Sequence, residues 1–397
     1  MSHRFKYIIV GGGVAGANAV EGIRVHDSSG SIALFGKEPH LPYDRPPLSK
    51  GLWLGKTTME QLPVYPRSFY DEHHVHLFLG TEIVEIDRKH RRVVDREGNT
   101  FAYENLLLAT GGSPRTLSFG GDVVRYFRTV DDYTMLREVT ETAGEFVLIG
   151  GGFIGAELAA ALTLQGKQVT MVFPETCILQ RIFPEALAAF VTDYYRDKNV
   201  KVINGDVPTN VVRANGRVRI ELRSGALVKA DGVVVAVGLN AHAQMASRAG
   251  LEVENGIAVN EFLQTSDPHI YAAGDVASFP VEALGKRMRI EHWNNAQMQG
   301  RYAGENMAGA HKKYDYLPYF YSDLFDLGFE AVGDLDARYQ TFADWKEEHR
   351  EGVVYYLDQA RVVGVLLWNV WEKLDAARAL LKEGTRYSRP EHLHGSI

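Results

Sequence analysis

Three glycines, Gly11, Gly13 and Gly16, stand at the GxGxxG spacing directly behind the apolar run YIIV. Gly150, Gly152 and Gly155 repeat that spacing behind FVLI. The pattern suits a dinucleotide. The first glycine allows a tight turn, the second lets the backbone meet a pyrophosphate, and the third lets helix and strand close up. The diphosphate rests on the helix N-terminus, where free N–H groups and the dipole favour negative charge. One such motif is a weak signal, but two, each between a strand and a helix, are a strong one. The alternative is a pair of glycine-rich packing turns.

An acid about 20 residues beyond the turn binds ribose hydroxyls. Glu175 lies 20 residues past Gly155, and Glu38 lies 22 past Gly16. A carboxylate at Glu175 repels a 2′-phosphate, and VFPETCILQR offers only Arg181 to hold one, so NADH is the expected coenzyme. Either glutamate could instead be a solvated loop acid. Cys177 is the one cysteine, which excludes an internal disulfide and argues against a cysteine metal site; no metal is expected. With 50 acidic against 43 basic residues the net charge is -7, which argues against nucleic-acid binding. No apolar run is long enough for a membrane span. The N-terminus enters a strand within a few residues, so neither a signal nor a transit peptide is expected, and the cytoplasm is the default location.

The elements that must position these residues come as an internal repeat. FKYIIVGGGVAGANAVEGI with SIALFGKEP and EFVLIGGGFIGAELAAAL with QVTMVFPE each read as strand, glycine turn, helix, strand. A hairpin-like stretch follows each, RRVVDREGNTFAYENLLLATGG and VRIELRSGALVKADGVVVAVG. The expected class is α/β, with two Rossmann-like nucleotide-binding domains and a C-terminal α+β domain. The second copy is inserted in the first, which gives domains over 1–125 with 245–313, over 126–244, and over 314–397. In the last, FEAVGDL, EGVVYYL and RVVGVLLW read as strands, and WEKLDAARALLKEG reads as an amphipathic helix closed by Gly384. The tail SRPEHLHGSI reads as loose.

LPYDRPPLSKGLW (41–53), ATGGSPR (109–115), GGGFIGAELA (150–159) and YAAGDVA (271–277) resemble the pyridine-nucleotide flavin reductases of the ferredoxin-reductase type. VFPE (172–175), RIEHWNNAQMQGRYAGENMAG (289–309), YSDLFDLGFEAVG (321–333) and VVYYL…VVGVLLWN (353–369) narrow the resemblance to the apoptosis-inducing-factor-like branch. It implies an FAD domain, an inserted NAD domain and a C-terminal domain. Carried onto matching positions, Gly11, Gly13, Gly16, Glu38, Arg45, Lys50, Ile83, Ala109, Arg128, Asp275, Glu291, His292 and Trp293 would serve FAD. Gly150, Gly152, Phe153, Ile154, Gly155, Glu157, Glu175 and Gly238 would serve NAD(H). Lys37, Tyr321 and Trp293 depart from the branch's usual residues. YQTFADWKEEHREG stands where animal members carry a long regulatory loop.

The resemblance further implies that Lys50 and Glu157 set the flavin potential, that Phe153 shields the flavin until nicotinamide displaces it, and that His292 stacks there or relays a proton. The plainer alternatives are an interdomain salt bridge, ordinary aromatic packing and a backbone-binding loop histidine. Cys177 is wrongly placed for a disulfide or peroxidatic relay. The expected activity is hydride transfer from NADH to FAD, with electrons leaving to a ferredoxin- or rubredoxin-type carrier, quinone or oxygen. The competing function is an NADH-responsive redox and dimerisation protein with a long-lived charge-transfer complex and slow turnover. A homodimer is compatible with either.

Overall fold

The computed structural model describes residues 3–397. The chain divides into two compact units: the residues up to Asp44 with Glu60–Ser113 and Asn240–Pro318, and Arg45–Met59 with Pro114–Leu239 and Tyr319–Ile397.

In the first unit a parallel sheet runs Val75–Leu79, Ile32–Gly36, His3–Val10, Thr100–Leu108, with Ile270–Ala272 beside the last. Tyr7 to Val10 are all buried, because a central parallel strand is covered on both faces. Antiparallel strands Ile83–Asp87 and Arg92–Asp95 extend the sheet, and the second pairs with Thr100–Leu108 as the hairpin pattern requires. Helices Val14–His26 and Trp293–Met307 pack with their backbones in contact. Gly300 and Gly304 share one helix face. A β-carbon on either would come within 2.2 Å of the Ala15 or Ala19 carbonyl oxygen.

The second unit holds a fully parallel sheet in the order Lys201–Asn204, Gln168–Phe173, Glu145–Ile149, Gly232–Val235, Arg125–Tyr126. An antiparallel layer of Pro208–Ala214, Arg217–Leu222 and Leu227–Ala230 packs Val211, Val218 and Ile220 against Val147, Ile149 and Val233. A separate antiparallel sheet runs Tyr319–Leu324, Leu327–Gly333, Arg361–Trp368, Glu351–Asp358, Gln340–Glu347. Helix Leu374–Glu383 buries Ala377 and Leu381 and ends at Gly384, whose φ of 64° is left-handed.

Two strands of that sheet escape the sequence pattern, and both lie at its edges. Gln340–Glu347 has no fully buried position, so its side chains carry no apolar alternation. Tyr319–Leu324 is interrupted by the polar pair Ser322–Asp323. The tail is a correction: it is not loose. Pro390–Leu393 forms a short turn, Leu393 is fully buried, and Asp344 accepts from His394 Nδ1 at 2.6 Å and the Gly395 N–H at 2.8 Å. One apolar side chain and one carboxylate tie down a stretch whose composition is polar.

Gly300→Ala should destabilise the protein by about 1–3 kcal/mol, because the added methyl forces two helix backbones apart. Denaturant unfolding measures this, and an unchanged midpoint would contradict the close packing.

Candidate functional site

In the first unit the strand His3–Val10 ends at Gly11, whose φ of 136° is open to glycine. A β-carbon there would lie 2.0 Å from the Ala109 carbonyl oxygen, and one at Gly16 would lie 2.1 Å from that of Gly11. At Gly13, the N-cap of helix Val14–His26, a β-carbon would meet nothing within 4 Å, and no side chain caps the helix. The turn is therefore closed where chain meets chain and open at the helix start. Glu38 follows strand Ile32–Gly36 and accepts the Tyr43 hydroxyl at 2.6 Å. Ala109 follows strand Thr100–Leu108, and Ile83 begins the antiparallel extension.

Asp275 lies in the turn Gly274–Val276. Its carbonyl accepts from Arg289, which also pairs with Glu291 at 2.5 Å. His292 is the N-cap of helix Trp293–Met307. Part of the residue's surface is open, yet burial pushes its imidazole down to about 4 against the pull of the Asp275 carboxylate. Trp293 donates its indole N–H to Asp44 at 2.5 Å, and burial raises that carboxyl above its ordinary value. These first-unit residues thus come from the strand ends, the Gly274 turn and the start of the second helix.

The second unit repeats the cradle. Gly150 has a φ of 125°, and a β-carbon on it would sit 2.2 Å from the Ala236 carbonyl oxygen. One at Gly155 would sit 2.2 Å from that of Gly150. Gly152 is again an open, uncapped helix start. Ile154 is exposed at the first turn, and Gly238, with a φ of 107°, accepts the Arg115 N–H through its carbonyl. Glu175 follows strand Gln168–Phe173 and is held by Arg181 at 2.7 Å. It lines a cleft of about 550 Å³ with Arg181, Phe183 and Arg338. Phe153 sets its edge against Phe320 and leans on Phe329, with ring centroids 5.6 and 6.3 Å away, so it belongs to an aromatic cluster as well as to the turn.

Arg45 and Lys50, which flank the turn Pro46–Ser49, belong to the second unit, as does Arg128. Arg45 donates to the Arg128 carbonyl at 2.7 Å. Lys50 Nζ lies 3.1 Å from Glu157 Oε1. Glu157 is buried in helix Phe153–Leu164, and two hydroxyls complete its shell: Ser49 Oγ at 2.5 Å and Ser322 Oγ at 2.6 Å. The Lys50 ammonium also sits 3.9 Å from the centre of the Tyr321 ring. Sequence reasoning overlooked both serines. Each adjoins a residue already singled out, Ser49 beside Lys50 and Ser322 beside Tyr321, but adjacency in sequence does not show that both hydroxyls reach one carboxylate.

Two open helix starts, each behind a turn that only glycine can make, fit two dinucleotides. Gly11, Gly13 and Gly16 would hold one diphosphate, and Gly150, Gly152 and Gly155 the other. Among the described residues no group of three or more His, Cys, Asp or Glu could hold a metal ion, and no helix is long and apolar enough to cross a membrane.

The chain matches the pyridine nucleotide-disulphide oxidoreductases over residues 5–300. It matches the C-terminal domain of the mitochondrion-associated apoptosis-inducing factor over residues 303–348 and 343–383. It is 34% identical to apoptosis-inducing factor 1 of Dictyostelium discoideum, over 95% of this chain and 78% of that protein. It is also 34% identical to the ferredoxin–NAD(+) reductase component of the anthranilate 1,2-dioxygenase system of Burkholderia cepacia, over 95% and 94%. Putidaredoxin reductase, solved in covalent complex with putidaredoxin, superposes with a TM-score of 0.91 at 30% identity, covering 96% of this chain and 94% of that one. By sequence and by fold, this chain belongs to the pyridine nucleotide-disulphide oxidoreductase family, as a flavoprotein of its ferredoxin-reductase-like and apoptosis-inducing-factor-like branch.

Proposed function

We propose that the protein is an NADH-dependent FAD oxidoreductase that passes electrons to a small ferredoxin-type carrier protein. The observation that carries this reading is the duplicated open cradle with Glu175 behind its second copy. Kinship with a ferredoxin–NAD(+) reductase component and with putidaredoxin reductase supports the choice of acceptor. FAD, when bound, would supply the redox chemistry between a nicotinamide hydride and an electron acceptor.

The chain's own residues then bind, orient and set charge. The first glycine turn would hold the flavin dinucleotide, with Glu38, Ile83, Ala109, Asp275, Glu291 and Trp293 of the same unit as the residues that would serve it; for Arg45 and Arg128 of the second unit the family resemblance alone suggests that role. The second would hold NADH with Ile154 and Gly238, and Glu175 would take its ribose hydroxyls. Lys50 would lend positive charge, which favours a reduced, anionic flavin. Glu157 would temper that charge, and Phe153 would serve as a shield for the flavin. His292 stays neutral near pH 7 and so orients by contact rather than by charge. Cys177, the single thiol, lies beyond Glu175 on the coenzyme side, so an external acceptor is required. A reducing cytoplasm suits this chemistry.

A second reading is an NADH-responsive protein with slow turnover whose oligomeric state follows its redox state. The match of residues 303–383 to the apoptosis-inducing factor C-terminal domain favours it. Anaerobic NADH titration, followed by addition of oxygen or a ferredoxin and by size-exclusion chromatography, separates the two. Fast reoxidation by the carrier supports the reductase. Slow reoxidation with a change in size supports the alternative.

The protein should purify yellow with one non-covalent FAD per chain, and NADH should reduce it far better than NADPH. A chain that takes up no FAD on reconstitution contradicts the reading. Glu175→Ala should weaken NADH binding by about 1–3 kcal/mol and improve NADPH use, since Arg181 loses its partner. Titration calorimetry with both coenzymes tests this, and an unchanged ratio of affinities would refute the role of Glu175.

Lys50→Met should lower the flavin potential and slow reduction by NADH roughly tenfold or more, whereas Glu157→Gln should move the potential upward. Stopped-flow and potentiometry read both. If both variants lose stability while reduction stays at the wild-type rate, the pair is only a salt bridge.

His292 titrates below its ordinary value in the folded chain. The unfolded chain therefore binds the proton first, and stability should fall as pH drops from about 6.5 towards about 4. His292→Gln should flatten that part of the stability curve, and an identical slope would contradict it.

A further inference from the structure

The three donors around Glu157 are not equivalent. Hydroxyl donors to a carboxylate typically sit at about 2.5–2.7 Å, and ammonium donors at about 2.7–2.9 Å. Ser49 and Ser322 lie within the first range, at 2.5 and 2.6 Å, whereas Lys50 at 3.1 Å lies beyond the second. The hydroxyls are thus the close partners of this carboxylate, and the lysine is the loose one. Ser322 and Lys50 also share a single oxygen, Oε1, while Ser49 takes Oε2. Ser322 is fully buried, so no water substitutes for its hydroxyl. The ammonium finds its remaining contacts on the preceding residue: the Tyr321 ring at 3.9 Å and the Tyr321 carbonyl oxygen at 3.5 Å. Adjacent residues of one edge strand, Tyr319–Leu324, therefore hold both ends of the ion pair.

We propose that Ser322 is a positioning residue for the redox site: by sharing Oε1 with Lys50 it keeps the ion pair loose, and so leaves more of the lysine's charge available to the reduced flavin. The inference rests on the reading of Lys50 as the charge that favours reduced flavin. A hydroxyl hydrogen aimed at Oε1 offsets part of the carboxylate's negative potential at the neighbouring ammonium. Without it, Glu157 attracts Lys50 more strongly and cancels more of its charge. Ser49 faces the other oxygen and should matter less.

The test uses the FAD-loaded protein. Its readouts are the flavin midpoint potential, by spectroelectrochemistry against a reference dye, the rate of reduction by NADH, and the Kd for NADH. Ser322→Ala should lower the potential and slow reduction about tenfold with Kd unchanged. Ser322→Cys, close in shape but a weaker donor, should fall between, and serves where the alanine variant does not fold. Ser49→Ala should shift the potential less than Ser322→Ala. In a Glu157→Gln background, Ser322→Ala should add nothing, because its effect runs through the carboxylate. A Ser322→Ala protein that melts earlier but keeps the wild-type potential overturns the proposal and leaves the serine a packing residue. If Lys50→Met shifts the potential and Ser322→Ala does not, only the serine's role falls. If Lys50→Met leaves the potential unmoved, the reading of the ion pair falls, and this proposal falls with it.

Discussion

Glu157 is a carboxylate cut off from water inside a helix that otherwise reads FIGAELAAALTL. A buried charge without donors costs several kcal/mol, so the surrounding chain must deliver them. Three segments far apart in sequence do so: the turn Pro46–Ser49 with Lys50, the helix that starts at the second glycine turn, and the edge strand Tyr319–Leu324. None of the three can shift without leaving a polar atom unsatisfied. The neighbouring phenol of Tyr195 donates to the Ala156 carbonyl, and burial, helped by the Glu157 charge, holds it well above its ordinary value. The same helix therefore begins at a candidate coenzyme cradle and carries, one turn later, the group that ties the cradle to the rest of its unit.

The two glycine cradles solve one steric problem twice. In each, the first glycine meets a carbonyl oxygen just past a neighbouring strand, Ala109 in one case and Ala236 in the other, closer than any β-carbon allows. The copies differ in the acid that follows. Glu38 is bound by a tyrosine hydroxyl and Glu175 by an arginine. The guanidinium of Arg181 offsets part of the Glu175 charge. Arg181 is mostly exposed, so that ion pair costs little to open.

Phe153 stands at the start of the second-cradle helix and packs in an aromatic cluster. Phe320 and Phe329 hold its ring, and Phe329 in turn contacts Phe183 and Trp368. An aromatic fixed on one side by such a cluster has a defined resting place. The aromatic-packing alternative is thus what the ring contacts show.

What the sequence by itself determined is whatever local chemistry dictates. Glycine spacing behind apolar runs specified the two cradles, the continuous apolar runs themselves specified the strands of the parallel cores, and Gly384 specified the end of the last helix. Edge strands such as Gln340–Glu347 left no such mark, because a strand with no fully buried position need not alternate. The C-terminal tail looked loose because one buried leucine and a distant aspartate decide its fate, and neither is a local signal. Only the tertiary structure decided that Ser49 and Ser322 crowd Glu157, that Arg181 covers Glu175, and that burial lowers the His292 proton affinity. These are through-space facts. Hydrogen bonding, pairing and desolvation depend on which residues the folded chain brings within a few ångströms, and spacing along the sequence carries that information only where the partners sit within one turn of each other.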